Sequence, residues 1–328
     1  MKKFLLCFLA AIITTCLLSA CSKHSDNSND KLSIVVTTFP QYDWVREILG
    51  DRLNEIELTL LLDDGIDLHN YQPSVEDITK ISTCDLFIYV GGGSDNWVQN
   101  ALNNAKNENM IVINMMESLG DKAKEEIIEG MEQEHHHEED HEHEHEEEHH
   151  HMDEHIWLSL ENARLICSYI SNALEKIDEQ HASIYSANVN TYNEKLAELD
   201  LKYQAVVNEA EMKTLLFGDH FPFRYLVDDY NLSYFAAFSG CFAETEASFE
   251  TIIFLANKID ELDLTAVMVI ETSDQLIAKT IVENTNNKNQ KILVLDSMQS
   301  ITTKNIASGI TYLSIMESNL IVLKEALF

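Results

Sequence analysis

The chain is poor in residues that break or bend a backbone: its 328 residues include 3 prolines and 10 glycines, and none of either falls between Leu158 and Met212. Within that stretch Leu158, Leu165, Ile166, Tyr169, Ile170, Leu174 and Ile177 recur at helical spacing, which predicts a helical block followed by one helix from about Ala182 to Met212. At 1.5 Å per residue a helix of about 30 residues spans roughly 45 Å, enough for a stiff connector between two lobes. Basic residues are scarce as well, 22 against 56 acidic ones, a formal charge of -34. Such a chain repels phosphate backbones, which argues against a nucleic-acid partner. Cysteine does not supply a framework. Cys7, Cys16 and Cys21 fall at the N-terminus, leaving Cys84, Cys167 and Cys241, an odd number without CxxC spacing. Cys84 and Cys167 lie among apolar neighbours and are expected in the core; Cys241, beside Gly240, is expected nearer the surface. No HExxH helix and no GxSxG elbow appear: the matches to HExxH, such as His137 to His141, fall inside a tract of histidines and carboxylates too polar to read as a packed helix.

Long apolar runs are confined to the start of the chain. Lys2 and Lys3 precede the stretch Phe4 to Leu18, about the length of a signal-peptide core and short for a membrane span of ~20 residues. It ends in Leu18-Ser19-Ala20-Cys21, which resembles a bacterial lipobox. The expectation is a leader over 1–20, a lipid on Cys21, a tether over 21–31, and a body held on the extracytoplasmic face of the cell membrane.

What the chain has in excess is histidine among carboxylates. From Glu132 to Glu154 it reads EQEHHHEEDHEHEHEEEHHHMDE, with nine histidines and twelve carboxylates. Removing those carboxylates still leaves -34 + 12 = -22. Acidity alone explains a solvated loop, but not the histidines His135, His136, His137, His141, His143, His145, His149, His150 and His151. Imidazoles interleaved with carboxylates offer many weak sites for zinc, copper or nickel on a chain too polar to pack, so 132–152 is expected to be a metal-collecting loop.

The rest alternates β-branched runs with helical patterns, which predicts an α/β fold of two lobes. Strands are expected at Ser33–Thr38, Ile56–Leu62, Leu86–Val90 and Ile111–Asn114 in the first, over 32–180. The second, over 213–328, should hold Leu215–Gly218, Tyr234–Phe238, Ala266–Ile270 and Ile292–Leu295. Helices are expected near Tyr42–Leu49, Ser74–Ser82 (capped by Ser74 and Asp77), Asn96–Ala105, Phe221–Asp229, Phe249–Asp260, Ser273–Asn284 and Asn305–Leu323. Gly91-Gly92-Gly93 reads as a turn; triple glycine is too nonspecific for a phosphate site.

Open α/β sheets bind ligands beyond the carboxyl ends of their strands. His69, His155, His220 and Asp296 all follow expected strand ends, two from each half. Each alone reads as a solvated histidine or a turn-forming aspartate; together they form a donor set suited to tetrahedral zinc. Asp219, beside His220, and Glu271, at a strand end, are rivals. Trp157 and Tyr71 are expected to wall the site.

The same segments resemble known motifs. Asp67-Leu68-His69-Asn70-Tyr71-Gln72-Pro73-Ser74, Asp153-Glu154-His155-Ile156-Trp157-Leu158, His220-Phe221-Pro222-Phe223-Arg224-Tyr225 and Leu293-Val294-Leu295-Asp296-Ser297-Met298 are similar to the ligand motifs of the cluster A-I lipoproteins that feed zinc and manganese ABC importers. The likeness covers essentially the whole mature chain. It implies two parallel α/β lobes joined by one rigid helix, a metal held by His69, His155, His220 and Asp296, and a membrane permease and ATPase as partners of a monomer. Manganese members carry a carboxylate at the third position, so His220 implies zinc. Leu68 and Glu154 stand where the family has proline, and Ser159-Leu160 where it has Asp-Pro. Three functional classes follow: a zinc receptor that is not an enzyme, a surface zinc store or adhesin, and, least supported because four protein donors leave no open position, a zinc hydrolase.

Overall fold

A computed structural model describes residues 31–63, 65–126, 152–238 and 247–328. The leader, Cys21, the nine clustered histidines and Cys241 lie outside these. The body from Leu32 to Phe328 is one compact unit. Among the described residues no helix is long and apolar enough to cross a membrane.

Two four-stranded parallel sheets carry the fold. The first contains β1 (Ser33–Val36), β2 (Glu57–Leu60), β3 (Leu86–Tyr89) and β4 (Ile111–Asn114) in the order β2-β1-β3-β4. The second repeats that order with β5 (Thr214–Phe217), β6 (Ser233–Ala236), β7 (Ala266–Val269) and β8 (Lys291–Val294), as β6-β5-β7-β8. Parallel neighbours need crossovers, supplied by α1 (Phe39–Leu49), α2 (Val75–Thr83), α3 (Val98–Leu102), α7 (Arg224–Asp229), α8 (Phe249–Leu262) and α9 (Leu276–Asn284). β1, β3 and β7 read as unbroken apolar runs because helices cover both faces. In each sheet the chain leaves the central strand pair in opposite directions, opening a crevice beyond the strand ends between β1 and β3 and between β5 and β7.

The absence of proline and glycine from Leu158 to Met212 has its structural counterpart in α5 (Leu160–Ile177) and α6 (Ala182–Glu209). With 28 residues, α6 spans roughly 42 Å. Its buried side chains, Tyr185, Val189, Tyr192, Leu196, Leu199, Tyr203 and Val207, form one apolar stripe. Polar ties flank the stripe. Asn188 Nδ2 donates to Ile48 O at the end of α1 (2.9 Å), and Asn193 Nδ2 to Ser168 Oγ on α5 (3.1 Å). Further along, Tyr203 OH donates to Met316 O (2.6 Å) on α11 (Tyr312–Leu327), and Tyr230 OH donates to Asp200 (2.8 Å). The helix is thus fastened to both halves, and one apolar core containing Trp44, Trp157, Tyr192, Phe217 and Leu295 runs through both.

Several boundaries differ from expectation. The helix expected over Asn305–Leu323 is two, α10 (Thr303–Ala307) and α11, because Gly309 turns the chain at φ +91°. α7 starts at Arg224 rather than Phe221, since Pro222 disfavours helical geometry in the residue before it. α9 starts at Leu276 because Gln275 sits at φ +64°. Tyr169, read as a core position, is 41% exposed. Ser74 and Asp77 do cap α2, each side chain accepting the other's backbone N–H, and Cys84 and Cys167 are buried free thiols.

Three buried carboxyls are costly to ionise. Burial pushes Asp43 up to about 6, Asp95 to about 7 and Asp229 to about 6, the hydrogen bonds they accept only partly offsetting it. A carboxyl whose folded pKa lies above its unfolded value holds a proton that the unfolded chain has already lost, so acid favours folding and the advantage fades as pH rises from about 4 to about 7. Asp43 Oδ2 accepts Tyr312 N–H (2.8 Å), a bond that asparagine can keep without the charge. Asp43→Asn should raise the unfolding temperature of the metal-free chain at pH 7.5 by about 2–4 °C and flatten its fall between pH 4 and 7. An unchanged slope would show that the Asp43 carboxylate is ionised at no cost.

Candidate metal centre

The two histidines of the first sheet are set by the same local device. In Asp67-Leu68-His69 the Asp67 side chain accepts the N–H of His69 (2.8 Å), and in Asp153-Glu154-His155 the Asp153 side chain accepts the N–H of His155 (2.8 Å). An aspartate bonding two residues ahead closes a tight turn and aims the following side chain. The rings meet edge to face with centroids 5.4 Å apart, and their Nε2 atoms are 3.4 Å apart.

The opposite ring nitrogens both face polar groups. Asp153 Oδ1 lies 3.0 Å from His155 Nδ1; a carboxylate only accepts, so that nitrogen carries the proton and Nε2 keeps its lone pair. His69 Nδ1 lies 2.7 Å from Ser94 Oγ and 3.6 Å from Glu154 Oε2. Burial, and then the neighbouring His155, lower the His69 pKa against the pull of Asp67, Glu154 and Asp153, so this ring favours the neutral form. Two imidazole nitrogens each 2.0–2.1 Å from a tetrahedral ion stand about 3.3–3.4 Å apart, and the observed separation matches that edge.

The second sheet presents its candidates less tightly. Asp219 and His220 follow β5, and Asp219 Oδ1 accepts the His220 N–H (2.8 Å) while the imidazole stands beside Phe238, centroids 5.1 Å apart. Asp296 follows β8. Its backbone is pinned by Asn319, which accepts its N–H and donates to its carbonyl, and its Oδ1 accepts Met298 N–H (2.8 Å). Burial and the adjacent Glu271 push Asp296 up to about 6. Glu271 itself is fully engaged: Oε2 accepts Ser297 N–H (2.8 Å), and Oε1 faces Ser297 Oγ, Gln299 N and Ser300 Oγ at 3.0–3.2 Å. Among the described residues no three of His, Cys, Asp and Glu stand close enough to share one ion. The structure therefore pairs His69 with His155 and leaves His220 and Asp296 outside that pair.

Three hydrogen bonds that sequence reading missed join the halves here. Trp157 Nε1 donates to Ser297 O (2.9 Å), Tyr225 OH to Asp153 O (2.9 Å), and Tyr312 OH to Trp157 O (2.6 Å). Trp157 also packs on His155, centroids 5.3 Å apart; Tyr71 is buried too, its ring against Trp97. The repeated Asp-x-His was a signal open to sequence reading; the three donors were not, because each acts on a carbonyl far along the chain. Glu271→Ala should free the 297–300 turn, destabilise the fold by about 2–4 kcal/mol and accelerate amide exchange at Ser297 and Gln299. Unchanged exchange there would show that Glu271 does not hold the turn.

Comparisons with known proteins agree with this architecture. The chain is 30% identical over 329 residues to the zinc-binding lipoprotein AdcA of Streptococcus pneumoniae (strain ATCC BAA-255 / R6), covering 99% of this chain but 61% of that protein. It therefore spans about three-fifths of that relative's length. It is 28% identical over 321 residues to the high-affinity zinc uptake system protein ZnuA of Bacillus subtilis (strain 168), covering 98% and 95% of the two chains. Among solved structures, the Zn(II)-bound ZnuA-like domain of Streptococcus pneumoniae AdcA superposes with a TM-score of 0.69 at 25% identity, over 91% of this chain and 99% of that one. The metal-dependent lipoprotein YcdH of Bacillus subtilis superposes with a TM-score of 0.73 at 25% identity, over 90% and 99%. Residues 34–326 match the family described as zinc-uptake complex component A, periplasmic, and the chain belongs to that ZnuA family.

Proposed function

We propose that this chain is a zinc receptor: a binding protein that takes Zn2+ between its lobes (32–180 and 213–328, joined through 182–212) and yields it to a membrane ABC permease driven by its ATPase. The observation that carries this reading is the pair of Nε2 atoms 3.4 Å apart, each ring backed on its other nitrogen, with His155 buried and His69 partly so. Family membership and the Zn(II)-bound relative support it. In this reading His69 and His155 are the preset half of the site, and His220 and Asp296 complete it by turning toward the ion. A helix fastened to both halves leaves little room for hinge closure, so binding is a local rearrangement. Glu271 is less suited as a ligand, since both of its oxygens already hold the 297–300 turn, whereas Asp296 and Asp219 each commit one oxygen to a backbone N–H. Four protein donors would enclose the ion and leave no open position for catalysis, so capture and release, rather than a reaction, are the function. The residues from His135 to His151 would gather zinc near the site, and Cys21 would carry the lipid that keeps the protein at the outer face of the membrane.

The test removes Glu132–His151. Met152 is retained because it pairs with Glu125 across the base of that loop, so the ends already lie together. Loaded from a mixture of divalent metals, the shortened protein should retain one zinc by native mass spectrometry, and His155→Ala should lose it, with affinity reduced more than 100-fold, beyond the ~10–100-fold typical of losing a supporting hydrogen bond. Absence of tight metal in the shortened protein would make the loop itself the binding element, as in a zinc store. Retained manganese in place of zinc would point to Asp219 as the third ligand.

A further inference from the structure

Two oddities of the sequence meet at one place. Glu154 stands where the resembling motif has proline, and Gly91-Gly92-Gly93 follows β3 without a phosphate to bind. In the fold Glu154 is 3% exposed and lies against that glycine turn. A Cβ on Gly92, which sits at φ +85°, would stand 2.8 Å from both Glu154 Cδ and Cγ, and one on Gly93 would stand 3.6 Å from Oε1. Glycine is thus required at position 92 twice over, by the backbone and by the carboxylate lying on it. Glu154 Oε1 accepts Ser94 N–H (2.9 Å), while Oε2 is buried, has no hydrogen-bond partner among the described residues, and faces His69 Nδ1 at 3.6 Å.

Ser94 Oγ, 2.7 Å from the same nitrogen, cannot decide where the His69 proton sits, because a hydroxyl both gives and accepts. A carboxylate only accepts. The geometry points to Glu154 as the positioning residue for His69: seated on Gly92, it holds the imidazole as the Nδ1–H tautomer and so keeps the Nε2 lone pair turned toward His155. The element that carries His155 thereby also prepares the other histidine, and the two donor atoms are preset by adjacent carboxylates, Asp153 for one ring and Glu154 for the other. The inference deepens the zinc-receptor reading and rests on it only for its consequence in affinity; the tautomer is a property of the metal-free chain.

Glu154→Gln is a sharp probe. Its amide oxygen must stay on Ser94 N–H, which turns the NH2 group toward His69 Nδ1, donor against donor, and drives the ring to the Nε2–H form. The experiment records imidazole nitrogen-15 spectra of the full metal-free chain, with the His69 signal assigned by its loss in His69→Gln, and zinc affinity of the same samples by chelator competition. The expected result is an Nδ1–H ring in the parent, an Nε2–H ring in Glu154→Gln, and tightest-site affinity lower by about 10–100-fold. An unchanged tautomer in Glu154→Gln overturns the inference. A parent that shows the tautomer switch but no tight zinc site overturns the receptor reading and leaves the inference standing. Should Glu154→Gln fail to fold, Gly92→Ala displaces the carboxylate from the other side and leaves Ser94 Oγ alone beside Nδ1: the ring should lose its single Nδ1–H form and populate both tautomers, and a Gly92→Ala chain that keeps the Nδ1–H ring overturns the inference equally.

Discussion

Two imidazoles stand with their Nε2 atoms 3.4 Å apart at a part-buried junction, where two lone pairs would repel each other and a cation between them would relieve the repulsion. Left alone, rings of this kind rotate, swap tautomer or bond one another. Every nearby feature opposes one of those escapes. Asp67 and Asp153 fasten the backbone of each histidine, Asp153 accepts from His155 Nδ1 while Ser94 Oγ stands on His69 Nδ1, and Trp157 packs on the His155 ring. Burial also biases His69 toward its neutral form and Asp296 toward its protonated one, so groups suited to a cation are kept short of full charge in its absence. The folded chain holds this arrangement in place, and a bound cation would relieve it.

Holding it requires a frame that does not yield, which is where the long helix enters. α6 is bonded to α1 and α5 by its first half and to α11 by its second, and an apolar core passes beneath it from one sheet to the other. The loop bearing His155 is stitched to the second half through Tyr225 and Trp157, and α11 reaches back through Tyr312 to bind both Asp43 and Trp157. A hinge at this junction would have to break several buried hydrogen bonds at once, each costly to leave unmade. Motion is cheaper at single side chains such as His220 and Asp296.

Much of this was legible in the residues. The central strands were visible as apolar runs because helices cover both of their faces, the edge strands as short apolar runs between helical patterns, and α6 was visible because no proline or glycine interrupts it. Boundaries failed where one residue overrides a pattern: Gly309 splits an apparently continuous helix, and Gln275 in a left-handed conformation delays another. The candidate histidines could be found from strand-end positions alone. What surrounds them could not, because partner choice is a long-range matter. Trp157 and Ser297 are 140 residues apart, and nothing local marks either as the other's partner. Glu271 reads from sequence as a possible ligand, and its hold on the 297–300 turn, through both of its oxygens, is something only the fold can display.

Glu154 shows why departures from a motif are informative. Proline at that position would restrict the backbone before the histidine; glutamate gives up that stiffness. It recovers the lost order through its side chain, which crosses to the glycine turn, takes the Ser94 amide and faces His69. The constraint moves from one histidine's backbone to the other histidine's ring. A substitution that weakens local geometry is tolerated when the freed side chain imposes order across the site, provided the opposite wall offers room. Here that room is the missing Cβ of Gly92, so the two positions are coupled physically and neither can change without cost to the other.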